Sequence, residues 1–185
     1  LVTRWAFMCR GLLLKTAILE IDPLWREIAE DSPNTLNSRS VNNNSSVTGI
    51  IGELAVSKAL ASLGIEHSLD NTYEYDFLVE GIKVDVKTTN FIFGRIKEHH
   101  TIMLTDYLRN QQCDAYIFAA INYPENAVYI MGCCAKFWFW ETDVAKDYKK
   151  GEAIFKQAIK EDARLIKFKH LTSFYKLPLL LEALK

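Results

Sequence analysis

Apolar residues recur at every second position from Tyr73 to Val79 and again from Ile82 to Val86, with Glu80-Gly81 between the two runs. A period of two predicts an antiparallel strand pair. Tyr73, Tyr75, Phe77 and Val79 share one face of the first strand, and Ile82, Val84 and Val86 share one face of the second. A two-residue turn at Glu80-Gly81 sets Val79 opposite Ile82, Phe77 opposite Val84 and Asp76 opposite Asp85. A three-residue loop closing on a glycine bulge would instead set Asp76 against Val84 and scramble both faces, so the tight turn is expected. From Val47 to Leu63 the period becomes helical. Gly49, Glu53, Val56 and Leu60 fall on one stripe, with Ile50, Ile51, Leu54 and Ala55 beside it.

Around these two elements the pattern is plainer. Gly11 to Ile21 reads as helix or strand, and Asp22-Pro23 opens a short helix through about Glu30, with Asp as cap and Pro in the first turn. From Ser32 to Ser46 the chain is rich in Asn and Ser and loses its period, as a linker does. Residues 1–46 are therefore expected to form an N-terminal extension and linker, and residues 47–185 the main domain. Ile65 to Leu69 is a short strand, and Thr105 caps a helix to about Gln112. Ala115 to Ile121 is a continuous apolar run, as in a central strand buried on both faces. A further strand covers Ala127 to Gly132. Asp143 to Ile159 reads as a Lys-rich amphipathic helix with Ile154, Phe155, Ala158 and Ile159 inward; its lysines are a second place for a phosphate backbone, or a solvated face. Arg164 to His170 is expected as a strand and Leu171 to Lys185 as a helical tail. The fold class is thus α/β, a mixed central sheet flanked by helices.

A chain of 185 residues, 49% hydrophobic, can bury a sizeable core. Its formal charge of −1 gives no global basic field, so any contact with nucleic acid must concentrate positive charge locally. Cys9, Cys113, Cys133 and Cys134 lack the spacing of a disulfide or zinc framework and read as free thiols of a reducing cytoplasm. Trp5 to Ile21 is apolar but interrupted by Arg10, Lys15 and Glu20, so no membrane span is expected. The first residue is Leu1 and the first methionine Met8, which suggests a processed or truncated start, or a start codon upstream of Met8. The block Phe137-Trp138-Phe139-Trp140 fits core packing or a dimer contact better than base stacking.

Chemistry enters on the other face of the hairpin. Its register brings Asp76 and Asp85 within roughly 5 Å at their roots, an arrangement that repels. Lys87 follows two residues later, with Glu74 opposite it. A divalent cation turns that repulsion into attraction, because hard cations take carboxylate oxygens; a solvated hairpin face is the plain alternative. On the repulsion argument, removing Asp85 should stabilise the metal-free protein. Glu53, at the edge of the buried stripe of its helix, supplies a third acid where an unpaired charge is costly.

Gly-Xaa-Xaa-Gly-Glu on a helix (Gly49 to Glu53), then Tyr75-Asp76-Phe77, then Val84-Asp85-Val86-Lys87-Thr88-Thr89 resembles the PD-(D/E)XK nuclease superfamily over about Val47 to Met131. Tyr75 stands where the proline of the family's name would be. The resemblance implies a restriction-endonuclease-like core and a magnesium-dependent nuclease, with manganese able to substitute. Glu53, Asp76 and Asp85 would hold the metal, and Lys87 would sit beside the attacking water as base, electrostatic stabiliser or water-holder. DNA cut internally is the expected substrate, and a homodimer is compatible with the family. A non-catalytic nucleic-acid-binding module on the same fold and an RNA or tRNA endonuclease are the alternatives, and a chance match in an unrelated interaction protein is a third. Arg95, Lys97, His99 and His100, in the loop after Lys87, are candidates for contacting the nucleic acid. Gln112-Xaa-Xaa-Xaa-Tyr116 superficially matches a motif of RecB-like exonucleases, but Tyr116 falls in the expected strand and the match is discounted.

Overall fold

The computed structural model describes residues 16–31, 43–70, 74–91, 96–97, 99–154 and 157–185. The chain opens with β1 (Ala17–Glu20), α1 (Pro23–Asp31) and the long α2 (Asn43–Ser62). The strands β2 (His67–Leu69), β3 (Phe77–Val79) and β4 (Ile82–Phe91) follow, then β5 (Thr101–Thr105), β6 (Ala115–Asn122) and β7 (Ala127–Ala135). Beyond them come α3 (Lys136–Glu141), β8 (Lys146–Tyr148), β9 (Ala153–Ile154), β10 (Gln157–Ala158), β11 (Ala163–Lys167) and α4 (Leu177–Leu184).

Six strands form the central sheet in the order β1-β7-β6-β4-β3-β2. It is mixed: β4 and β6 run parallel and every other neighbouring pair is antiparallel. The expected α/β class with a mixed sheet is what the chain adopts. All eight residues of β6 are buried, because apolar side chains leave it on both faces. Ala115, Ile117, Ala119 and Ile121 meet α1, α2 and α4, together with Phe77, Val79, Val84 and Val86. Tyr116, Phe118 and Ala120 meet Phe139 and Trp140 of α3 and the small sheet β5-β11-β8. Phe77, Val79 and Val84 are fully buried, each contributing about 1.5–3 kcal/mol of transfer free energy.

The hairpin forms in the expected register, with Val79 opposite Ile82 and Phe77 opposite Val84. Glu80 at φ +50° and Gly81 at φ +87° supply the two left-handed residues that its tight turn requires. Asp22 Oδ1 accepts a hydrogen bond from Leu24 N and caps α1 as expected. Residues Ala17–Asp31, which the sequence places in an extension, belong to the main body: β1 pairs with β7, and Ala17, Ile21, Trp25 and Ala29 lie in the core. Of the expected linker, Asn43 to Ser46 already belong to α2, and residues 32–42 lie outside the described residues.

Other expectations change. The helix expected over Asp143 to Ile159 is instead β8 and the β9–β10 hairpin. Gly151 at φ +90° interrupts any helix there, and β8 pairs with β11. The helix after Thr105 is one 3-10 turn, Asp106–Asn110, and Thr105 makes no side-chain cap. The strand from Arg164 ends at Lys167, where a 3-10 turn takes over, and the C-terminal helix begins only at Leu177. Phe139 and Trp140 are buried as core residues, whereas Phe137 is 66% exposed. Cys113, Cys133 and Cys134 are free and buried. Among the described residues no helix is long and apolar enough to cross a membrane.

Candidate active site

The site lies where β3 parts from β4. Pairing stops at Phe77–Val84, and Asp76 then turns back onto the edge of β4. Its backbone N–H donates to Val84 O at 3.0 Å, and its Oδ2 accepts from Val86 N at 2.6 Å. A carboxylate oxygen thus replaces the carbonyl that a longer β3 would have offered. The first strand is therefore shorter than its alternating pattern, and Glu74 does not stand opposite Lys87. Glu74 Oε2 accepts from Gln112 N at 2.8 Å instead.

Asp85 and Lys87 project from the β4 face that also carries Tyr116 and Phe118, their partners in the parallel ladder. Asp85 is 3% exposed. Lys87 Nζ lies 2.6 Å from its Oδ2, and Gln111 Nε2 donates to its Oδ1 at 2.5 Å. Gln111 follows the 3-10 turn, where its N–H donates to Leu108 O and its own carbonyl accepts from Lys136 Nζ.

Glu53 comes from the opposite layer. A Cβ on Gly52 would meet Thr88 Oγ1 at 1.9 Å, so only glycine lets α2 lie this close to β4. That close approach carries Glu53 to the strand edge where Asp76 sits. Burial first, then the charge of Asp85, pushes the Glu53 carboxyl up to about 7, against the pull of Lys87. Burial and the charges of Asp85 and Glu53 hold Asp76 well above the usual carboxylate range, opposed by the Val86 hydrogen bond and Lys87. Asp85 is also raised by burial, although Lys87 and Gln111 counter it. Burial acts against the charge of Lys87, but Asp85 and Asp76 outweigh it and raise its pKa. The four residues singled out by sequence form one electrostatic cluster.

The donors suit a hard divalent cation. Asp85 Oδ2 is buried and, beyond its ion pair with Lys87, has no well-directed hydrogen bond; Gln111 Oε1 and Thr88 Oγ1 are buried without a hydrogen-bond partner. Among the described residues no three His, Cys, Asp or Glu side chains stand as a closed ligating set. Here the Lys87 ammonium supplies the positive charge beside Asp85.

The other candidates lie elsewhere. Lys97 and His99 are exposed, His100 is half-buried, and Arg95 lies outside the described residues. His100 stacks on Phe91, ring centroids 4.6 Å apart, at the far end of β4 from the acids. Gln111 is the residue that sequence reasoning missed. Its neighbour Gln112, considered with Tyr116, is exposed and does not meet Asp85, and Tyr116 lies in β6 as expected. The signal available was register: β6 beside β4 sets Tyr116 against Asp85 and draws the residues before β6 toward it. Comparison with family models, curated proteins and solved structures gave no match.

Proposed function

We propose that this chain is a metal-dependent phosphodiester hydrolase that cuts DNA internally, with magnesium as its ion and manganese able to substitute. The observation that carries the reading is the convergence of Glu53, Asp76, Asp85 and Lys87 at the point where β3 leaves β4. A purely structural cluster has little reason to crowd three acids so that each is harder to ionise, since buried unpaired charge is costly. Glu53, Asp76 and Asp85 would hold the metal. A bound metal of this kind lowers the pKa of water and polarises a phosphoryl oxygen.

The protein's own residues do the rest. Gln111 fixes Asp85 through Oδ1, and the Val86 N–H fixes Asp76 through Oδ2, so the two carboxylates are oriented by a rigid strand and its neighbour. Lys87, 21% exposed and charged, stands where its ammonium can stabilise negative charge growing on a phosphate or orient an attacking water.

The test is cleavage of supercoiled plasmid, single-stranded DNA, branched DNA and RNA with Mg²⁺, Mn²⁺ or EDTA, wild type beside Asp85→Ala. Metal-dependent cutting of DNA that the variant lacks is the expected result. Cutting that survives in Asp85→Ala, or a wild type inert on every substrate, overturns the reading, and cutting confined to RNA moves the substrate class.

A further inference from the structure

Two segments distant in sequence meet at the far end of β4. β5 and β11 pair so that Thr101 stands opposite Lys167, and Phe168 N donates to His100 O at 2.9 Å. This joins Lys97, His99 and His100 to Lys167, Lys169 and His170. Lys97, His99, Lys167 and Lys169 are exposed. Lys97 and His100 close a turn through two hydrogen bonds, and the His99 and His100 rings lie 4.8 Å apart. His170 is held below its ordinary range by burial and then by Lys169 and Lys167, and His100 by burial, His99 and Lys97. Both histidines are therefore mainly neutral near pH 7, where they serve as hydrogen-bond partners while the three lysines carry the charge.

The patch is connected to the acids by one strand face. Lys87, Thr89 and Phe91 leave the same side of β4, Thr89 is exposed, and His100 stacks on Phe91. At a strand rise of about 3.3 Å per residue, Phe91 lies about 13 Å beyond Lys87. That distance matches about four base pairs of duplex, at about 3.4 Å each.

We propose that Lys97, Lys167 and Lys169, with His99, His100 and His170, form a phosphate-binding track for duplex DNA that continues from Lys87 along β4. This rests on the nuclease reading for the direction of the track, but its binding test does not need cleavage. The lysines sit on a protein of formal charge −1, so the positive charge is local, as a backbone contact requires. A nucleic acid leaving Lys87 along this face passes Thr89 and Phe91 and then reaches the loop that carries the lysines.

The experiment is fluorescence anisotropy of a labelled duplex of about two helical turns, in EDTA, over a potassium chloride series, wild type beside Lys167→Ala/Lys169→Ala. Both lysines are exposed, and circular dichroism checks that the variant is folded. The expected result is weaker binding, with the slope of log affinity against log salt reduced by about 1.8 for two lost phosphate contacts. An unchanged slope and affinity, equal binding of poly-L-glutamate, or no binding by the wild type at low salt overturns the track. Loss of cleavage in every assay with the salt effect intact would remove the nuclease reading and leave the track standing.

Discussion

Asp76 Oδ2 accepts the Val86 N–H at 2.6 Å, so one carboxylate both continues the edge of the sheet and faces the other acids of the site. These two duties predict opposite effects for two substitutions. Asp76→Asn keeps an acceptor for Val86 and removes the charge that Asp85 and Glu53 repel. It should unfold at a higher temperature than wild type in EDTA at pH 8, while losing metal-dependent cleavage. Asp76→Ala leaves the Val86 N–H without its acceptor and should be less stable than Asp76→Asn by about 1–3 kcal/mol. Thermal unfolding of the three proteins side by side decides it; equal midpoints for the two variants would mean that the Val86 hydrogen bond carries no weight.

The pH dependence of stability has a definite sign. Glu53 is raised from 4.5 to about 7, so the folded protein holds a proton that the unfolded chain releases across that window. Stability from this group is full below about 4.5 and is lost as pH climbs through about 7, a total of about 3 kcal/mol. Glu53→Gln should flatten the curve. Because a cation competes with those protons, Mg²⁺ at a hundredfold excess over its Kd at pH 8 should stabilise the protein there by about 2.7 kcal/mol, and the same concentration should stabilise it less at pH 5. Urea unfolding at both pH values, with Mg²⁺ and with EDTA, reads both effects, and Mg²⁺ stabilisation equal at the two pH values would count against the carboxylate site.

Lys87 compensates Asp85 directly, at 2.6 Å. The sequence alone suggests that removing Asp85 relieves repulsion, but in the folded chain that change would strand a mostly buried ammonium, so the expectation passes to Asp76. Lys87→Met should lower single-turnover cleavage by about 10²-fold or more, as loss of a charge-stabilising group does. A variant that cuts within a few-fold of wild type would take Lys87 out of the chemistry.

Much of this site was legible because its pattern is local. The period of two around Glu80-Gly81 sets the hairpin register, and the helical spacing places Glu53 at the half-buried edge of α2, beside the buried Val56 and Leu60. What escaped depends on tertiary contacts. Asp143 to Ile159 carries lysines at helical spacing, yet β11 takes Lys146–Tyr148 as a strand, Gly151 breaks the helical path, and β9 and β10 pair with each other. Ala17–Glu20 is too short a run to declare itself, and its identity comes from β7. Gln111 reaches Asp85 across 26 residues of chain, a contact no local period encodes.

That contact makes its own prediction. Gln111→Leu removes the donor to Asp85 Oδ1 while keeping much of the side-chain volume. Metal affinity, or the cleavage rate at limiting metal, should fall by about 10–100-fold, as for other groups that orient a ligand. Isothermal titration with Mn²⁺ measures it; unchanged affinity would reduce Gln111 to packing.

Gly52 is what lets α2 bring Glu53 to the strand. A Cβ on Gly52 would lie 1.9 Å from Thr88 Oγ1 and 2.8 Å from both Thr88 Cβ and Cγ2. Thr88 sits on β4, whose neighbours fix its backbone on the β6 side, so the strain falls on α2. Gly52→Ala should cost about 1–3 kcal/mol by overpacking, although alanine is the better helix former by about 1 kcal/mol. Trimming the neighbour should recover most of the loss, so Gly52→Ala/Thr88→Gly should be more stable than the two single changes predict together. Chemical denaturation of the four proteins forms a double-mutant cycle. A coupling energy near zero would mean that α2 and β4 have room to spare, and that Gly52 is not what brings Glu53 to Asp76 and Asp85.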